Sequence, residues 1–187
     1  MTVTNLKARP KALPDRISED ITNAKVILDG AVVTNKLRHA ANPEGLSECV
    51  DASVPLQFWL DNKTALAAQN ELIAVQIAAD QSPDQLQDDL ANIDVIVLPF
   101  VVGVDGRSYS HAYTLRMQMN FSGEIRAVGD VKYDQLGFLK RVGVNAFELA
   151  QGQDVNAALK AFNEFSDVYQ PSADNGQLIF ARRRLQH

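Results

Sequence analysis

Residues 94–100 read DVIVLPF, residues 124–129 read EIRAVG and residues 145–149 read NAFEL. Like LIAVQI at residues 72–77, these are short apolar runs of the kind found in buried strands, and polar turns and helical patterns separate them. Such alternation is typical of parallel strands joined by right-handed helical crossovers. We therefore predict an α/β fold with a mainly parallel sheet flanked by helices in three layers, as an open sheet or a partial barrel. A complete eight-unit barrel needs about 250 residues.

Three capping signals mark the predicted helices between and after these strands. Ser82 precedes Pro83 and is followed three residues later by Gln85, a pattern that begins a helix. Asp154 is expected to cap the last helix, in which apolar residues recur at helical spacing from Val155 to Phe165. Gly143 is expected to end the helix before the fourth run.

The residues before the first run predict an amino-terminal extension of the sheet. Two β-branched runs on either side of Asp29-Gly30 indicate a β-hairpin at residues 25–34. Residues 35–50 have the composition of a loop, and residues 54–60 are either a strand or the start of a helix. We interpret residues 1–20 as a mobile tail and residues 21–187 as a single α/β domain, with QLIFA at residues 177–181 as an edge strand.

Composition excludes several classes of function. The 187 residues include 18 Lys and Arg against 23 Asp and Glu, a net charge of -5 that disfavours binding to nucleic acid or an anionic membrane. Cys49 is the only cysteine, so one chain cannot form a disulfide or ligate an iron–sulfur cluster with cysteines alone. No signal sequence or membrane span is recognised, and we expect a cytoplasmic protein.

The loop after the second run is a candidate binding site. A helix that begins near Ser108 or Ser110 points free N–H groups and a partial positive charge toward the strand ends. Arg107 adds a fixed charge with bidentate geometry, so the loop is suited to a small oxyanion. In the simpler alternative Asp105-Gly106 forms a turn, a serine caps the helix and Arg107 pairs with a neighbouring carboxylate.

The loop after the third run gives a second candidate. Arg126 lies inside a strand, where a charge needs a partner, and Glu148 in the neighbouring run is the obvious one. One interpretation is a buried Arg126–Glu148 pair with Asp130 as a helix N-cap. The other is a ligand site at this loop, with Asp130 and Asp134 as acid or base. Both interpretations use the same residues.

Other residues carry weaker signals. His39, His111 and His187 lack the spacing of metal ligands, so we assign no metal site. The dinucleotide fingerprint, the P-loop and the nucleophile elbow are absent, and no cofactor motif is recognised. Residues 182–184 are three arginines that suit a solvated tail or a docking patch. Whether the chain is an enzyme stays open at this point.

From Arg107 onward the sequence resembles the bacterial family DUF934, in VDGRSYSHAYTLR and GEIRAVGDVKYDQLGFLKRVGVNAFEL. Ser108 stands where the family pattern has glycine, and Val142 stands where it has a cysteine. The resemblance implies a link to sulfite reduction and an oxidoreductase role. Since one cysteine cannot carry the cluster of a sulfite reductase, that role is an accessory one. The motif residues that match are Asp105, Gly106, Arg107, Tyr109, Ser110, Leu115, Arg116, Gly123, Glu124, Arg126, Ala127, Val128, Gly129, Asp130, Val131, Asp134, Gln135, Leu136, Gly143, Ala146 and Phe147.

The sequence and the resemblance together predict two alternative functions. The first is an accessory protein of sulfite or sulfate assimilation with a site for a small oxyanion or a phosphorylated ligand. Its candidate acid or base residues are Asp130 and Asp134, and its candidate ligand-binding residues are Asp105, Gly106, Arg107, Ser108, Tyr109, Ser110, Arg116, Arg126, Gly129 and Gln135. The second is a non-catalytic interaction protein that docks on a sulfite reductase subunit or forms a homodimer. It predicts that Asp105, Arg107, Asp130 and Arg126 pair among themselves.

Overall fold

Eight strands form one curled sheet, a half-barrel, in the computed structural model, which describes residues 25–40, 43–69, 71–100, 106–162 and 172–173. The predicted tail, the QLIFA strand and the three arginines lie outside these ranges. The strands of the described residues are β1 (Lys25–Leu28), β2 (Ala31–Thr34), β3 (Arg38–His39), β4 (Ala52–Pro55), β5 (Ala74–Gln76), β6 (Val95–Phe100), β7 (Glu124–Gly129) and β8 (Ala146–Phe147).

The strand order is β2-β1-β8-β7-β6-β5-β4-β3. Strands β3 to β8 are parallel to one another. The hairpin β1–β2 extends the sheet beyond β8, and β1 pairs with β8 in antiparallel orientation. The mainly parallel α/β sheet and the hairpin at residues 25–34 are therefore confirmed, and the partial barrel is the form observed. At the hairpin turn both Asp29 and Gly30 have positive φ, at 49° and 80°, as a two-residue turn of the primed type requires.

The helices are α1 (Leu56–Gln69), α2 (Arg107–Tyr113), α3 (Leu136–Arg141) and α4 (Val155–Ala161) among the described residues. A π-helical segment, Thr114–Gln118, extends α2. The residues of the undecided segment 54–60 end β4 and begin α1. None of the helices that the structure describes has the length and hydrophobicity of a membrane span.

The capping predictions have mixed outcomes. Asp154 Oδ1 accepts from Asn156 N at 2.9 Å, and Gly143, at φ +106°, follows the end of α3, as predicted. Ser82 Oγ accepts from Asp84 N, but only short 3-10 turns follow, at Pro83–Leu86 and Leu90–Asn92. The loop prediction for residues 35–50 is wrong, because the segment contains β3 and a 3-10 turn, Leu46–Cys49. A two-residue strand is too short for a periodic signal.

The described helices pack on one face of the sheet. Side chains of α1 to α4 join the outward residues of β1 and β4 to β8 in one continuous apolar core. The part of the chain that the structure describes therefore forms two layers, the sheet and one layer of helices, and shows no third layer. Since β3 to β8 lie in the sheet in their chain order, right-handed crossovers put every connecting segment on the same side.

The opposite face of the sheet, here called the inner face, is partly covered by the connection between β2 and β3. Leu37 of that connection packs against Ala74, Val95, Val97 and Val128. The inner face also carries polar side chains, among them Ser53, Gln76 and Arg126. In folds of this kind ligands bind at the carboxyl edge, where the parallel strands end.

Candidate functional site

Six polar side chains meet on the inner face and form what we call the inner-face cluster: Asn35, His39, Ser53, Gln76, Arg126 and Glu148. Four of them lie where a strand ends. His39 and Gln76 are the last residues of β3 and β5, and Asn35 and Glu148 directly follow β2 and β8. Arg126 and Ser53 lie within β7 and β4. The half-barrel therefore brings together polar residues from six strands.

A line of hydrogen bonds runs through the cluster. His39 Nδ1 lies 2.6 Å from Ser53 Oγ, and His39 Nε2 lies 3.1 and 3.2 Å from the carboxylate oxygens of Glu148. Gln76 Nε2 donates to Ser53 Oγ and to Ser53 O, both at 2.9 Å. Because Glu148 accepts, a neutral His39 carries its proton on Nε2 and accepts from the Ser53 hydroxyl on Nδ1.

Arg126 is the cation of the cluster and is only 6% exposed. Its Nη1 donates to Glu148 Oε1 at 2.9 Å and to Asn35 Oδ1 at 2.7 Å, and its Nε donates to Glu124 Oε1 at 2.5 Å. The Arg126–Glu148 pair predicted from the sequence is therefore present. No ion pair joins Arg126 to Asp130 among the described residues.

Asn35 leaves one buried donor without a partner. Its Oδ1 accepts from Leu37 N at 3.1 Å and from Arg126 Nη1, and because both neighbours are donors the orientation of the amide is fixed. The other end of the amide, Nδ2, is buried and has no hydrogen-bond partner among the described residues, and the residue is 1% exposed. A buried N–H group of this kind costs about 1–3 kcal/mol unless an acceptor meets it.

Glu148 is held as a carboxylate. Burial raises its pKa, but the hydrogen bonds and charges of His39 and Arg126 have the larger combined effect, so the pKa lies below the ordinary value of 4.5. The folded protein therefore binds fewer protons at this group than the unfolded chain does in mildly acidic solution.

Acidification is expected to weaken the fold through Glu148. The contribution of this group is fully present above the unfolded pKa and is lost as the pH falls toward the lower folded pKa. The difference in free energy of unfolding between the wild type and Glu148→Gln should therefore shrink from about pH 6 to about pH 3. Urea denaturation over that range measures it, and a constant difference would contradict the assignment.

The loop candidates lie at the carboxyl edge of β6. Asp105 lies outside the described residues. Gly106 precedes α2, no side chain caps this helix, and Arg107 and Ser110 are exposed. The serine cap of the simpler alternative is therefore wrong, because Ser108 is buried and its Oγ donates to Pro99 O at 2.8 Å. That bond ties the start of α2 to the end of β6.

The candidates after β7 form a separate group. Asp130 pairs with Lys132 at 3.2 Å, and Gln135 Oε1 accepts from Lys132 N at 3.0 Å. The prediction that Asp130 is an N-cap is wrong, because the next helical turn begins at Tyr133 and Lys132 precedes it. Asp134 is exposed, and no hydrogen bond joins either acid to the inner-face cluster among the described residues.

The ring of Tyr109, in α2, connects the end of β6 with α3. The ring packs between Phe100 and Phe138, with centroid distances of 5.0 and 5.2 Å. Burial and, to a lesser extent, the charge of Asp134 raise the pKa of the Tyr109 hydroxyl, which therefore stays protonated at neutral pH. Tyr109 and Asp134 are thus electrostatically coupled across the carboxyl edge.

Gly129 and Arg116, two of the motif residues, have structural roles. Gly129 has φ +99°, and a Cβ there would lie 2.5 Å from Phe100 O. Arg116 lies at the opposite, amino edge of the sheet, where it donates to Gly143 O at 2.8 Å, to Asn145 Oδ1 at 2.9 Å and to Phe121 O. The structure does not bring Arg116 together with the other candidates.

Sequence reasoning missed four members of the cluster. The sequence offers His39 only as a possible metal ligand, and it gives Asn35, Ser53 and Gln76 no predicted role. The available signal was a single polar residue inside or next to each short β-rich run, as in ASVP and AVQ.

Within the described ranges, no group of three or more His, Cys, Asp or Glu residues is arranged to hold a metal ion.

Comparison with known proteins gives a match at the level of a family. The model of a family described as "Bacterial protein of unknown function (DUF934)" matches residues 74–180, more than half of the chain. No curated protein and no solved structure matches significantly. The matched range covers β5 to β8, which include Gln76 and Arg126, and Glu148 directly after β8.

Proposed function

The chain belongs to DUF934, a family of bacterial proteins of unknown function, and from this premise we propose that it is an accessory protein that binds a small oxyanion or a phosphorylated ligand at the carboxyl edge of the sheet. The observation that carries the proposal is the buried, unpartnered Nδ2 group of Asn35 beside Arg126. An oxygen atom of the ligand accepts from this N–H group. Arg126 Nη2, which has no hydrogen bond among the described residues, supplies a second donor.

The charges of the site decide which form of His39 can accompany an anion. Two carboxylates, Glu124 and Glu148, face the guanidinium of Arg126, so an added anion needs a further positive charge. The imidazolium form of His39 is that charge: its ring donates to Glu148 and to Ser53 Oγ, and the Ser53 hydroxyl then turns to Arg38 O, 3.5 Å away. We therefore propose that the anion binds together with the imidazolium form of His39.

We propose that the loop candidates contribute to the rim of this site. Arg107, at the exposed start of α2, would give long-range attraction for an anion, and Gly106 and Ser110 would supply backbone contacts. Asp130, which pairs with Lys132, and Asp134 are proposed as acid or base for a bound ligand.

Calorimetry tests the binding proposal. Wild-type protein is titrated with sulfate, sulfite and phosphate, each at about pH 6 and about pH 8. Asn35→Asp keeps the oxygen that accepts from Arg126 and Leu37, but it removes the donor and adds a negative charge, so binding should fall by tenfold or more. Arg107→Ala should weaken binding less. Binding that is unchanged in Asn35→Asp, or absent in the wild type, would refute the inner-face site.

The pathway is a separate proposal that rests on the resemblance. We propose that the bound oxyanion belongs to sulfite or sulfate assimilation and that the protein docks on a sulfite reductase subunit. A deletion strain should then grow poorly on sulfate and normally on cysteine. Tagged protein from cells grown on sulfate should bring the reductase subunit with it. Equal growth of both strains on sulfate would remove the pathway from the account.

A second candidate function, self-association, is favoured by the position of β2 at the edge of the sheet among the described strands. All four residues of β2 are exposed, including Val32 and Val33. Since Leu28 and Ala31 flank the two-residue turn, the alternation of the ladder directs the backbone groups of Val32 and Thr34 away from β1. Unprotected apolar edges pair readily, and here the partner is β2 of a second copy. Sedimentation of the wild type and Val33→Lys decides: a dimer that the lysine abolishes supports this function, and a wild-type monomer contradicts it.

A further inference from the structure

A cleft of about 450 Å³ opens at the amino edge of the sheet, opposite the inner-face cluster. It lies between the hairpin turn, the residues before β8, and helices α3 and α4. Its volume is that of a site for a small molecule. We propose that this cleft binds a zwitterionic α-amino acid with an apolar side chain. The inference does not depend on the function proposed above.

The apolar wall of the cleft suits a hydrocarbon or aromatic side chain. The rings of Phe147 and Phe162 line it together with Leu159, and the two ring centroids are 5.1 Å apart at an angle of 55°. Phe147 is almost fully buried, so it forms a fixed surface. Transfer of an apolar ligand group from water to this wall supplies affinity without a specific polar contact.

Two opposite charges line the same cleft without pairing. Lys140 Nζ lies 5.7 Å from the centre of the Phe162 ring and forms no ion pair with any described residue. Asp29, in the hairpin turn, does not pair with Lys140 but interacts electrostatically with Arg116 behind Asn145. A ligand with one charge would complement only one of the two cleft charges, whereas the carboxylate and ammonium of an amino acid complement Lys140 and Asp29 respectively.

The carboxylate of Asp29 is held in position before any ligand arrives. Asn145 Nδ2 donates to Asp29 Oδ1 at 3.1 Å, and Asn145 Oδ1 accepts from Arg116 Nη2 at 2.9 Å and from Ile125 N at 2.8 Å. The hairpin turn fixes the backbone at Asp29 and Gly30. A preorganised acceptor of this kind reduces the entropic cost of binding.

Two matched variants separate the charges from the fold. Asp29→Asn removes the negative charge and keeps the turn, because Asn-Gly is a preferred pair in a primed two-residue turn. Lys140→Met removes the ammonium and keeps an unbranched side chain at an exposed position of α3. Thermal melts of both variants should resemble that of the wild type.

The test is calorimetry of the full chain with three probes: L-phenylalanine, N-acetyl-L-phenylalanine and L-phenylalaninamide. L-Phenylalanine should bind saturably, and each variant should lower its affinity about tenfold. Asp29→Asn should leave the weak binding of the acetylated probe unchanged, and Lys140→Met should leave that of the amide unchanged. Asn35→Asp should bind L-phenylalanine as the wild type does, which separates this site from the inner-face cluster.

Three results would overturn the proposal. They are the absence of binding of L-phenylalanine to the wild type, binding that neither variant weakens, and binding of the acetylated probe as tight as that of L-phenylalanine. The last result would show that the cleft recognises a carboxylate alone.

Discussion

Replacement of Arg126 by alanine is expected to lower the free energy of unfolding by about 3–5 kcal/mol. Arg126 is buried and donates to Glu124, Glu148 and Asn35, so its removal leaves two carboxylates of low exposure without their cation. Urea denaturation at neutral pH measures the loss.

Arg107→Ala is the control for this substitution. Arg107 is exposed at the start of α2, and truncation of a surface arginine costs at most about 1 kcal/mol. Equal losses in the two variants, or a larger loss for Arg107→Ala, would show that the loop arginine is the structural one and that the inner-face cluster contributes little to stability.

Gly129→Ala is expected to destabilise the protein by at least about 2 kcal/mol. The positive φ of Gly129 strains any residue with a Cβ, and that atom would lie 2.5 Å from the backbone oxygen of Phe100 on the neighbouring strand. Asp130 N donates to the same oxygen at 2.7 Å, so neither strand end moves away without losing a hydrogen bond.

Gly137→Ala is the matched control because nothing lies within 4 Å of the new Cβ and the residue belongs to α3. Alanine in a helix should leave the stability unchanged or raise it by up to about 1 kcal/mol. A Gly129→Ala variant as stable as Gly137→Ala would contradict the close approach of β6 and β7.

Local patterns were sufficient for the hairpin and for four of the parallel strands, but they missed β3, left β4 undecided and did not give the arrangement of the strands. The hairpin at Asp29-Gly30 and the four apolar runs follow from turn chemistry and β propensity, and both are present in the structure. The position of the described helices on one face was not predicted because it depends on strand order. Neither composition nor periodicity within one run encodes which run is its neighbour in the sheet.

The same limit explains the missed site residues. Arg126 meets Asn35 across 91 positions of the chain, and His39 meets Glu148 across 109. Only the Arg126–Glu148 pair was accessible from the sequence, because a charge inside a β-rich run demands a partner and the adjacent run offered one. No such argument applies to Asn35, Ser53 and Gln76, because a neutral side chain in a strand does not need a counter-ion.

The central claim, that the Asn35 amide donates to a bound oxyanion, is tested most directly by nuclear magnetic resonance. The side-chain amide signal of Asn35 is identified by its absence in Asn35→Asp and is followed while sulfate is added to the wild type at about pH 6. We predict that this signal shifts saturably, with or without Arg107. A signal that stays in place while backbone amides near Arg107 shift, or a spectrum that does not change at all, would contradict the account.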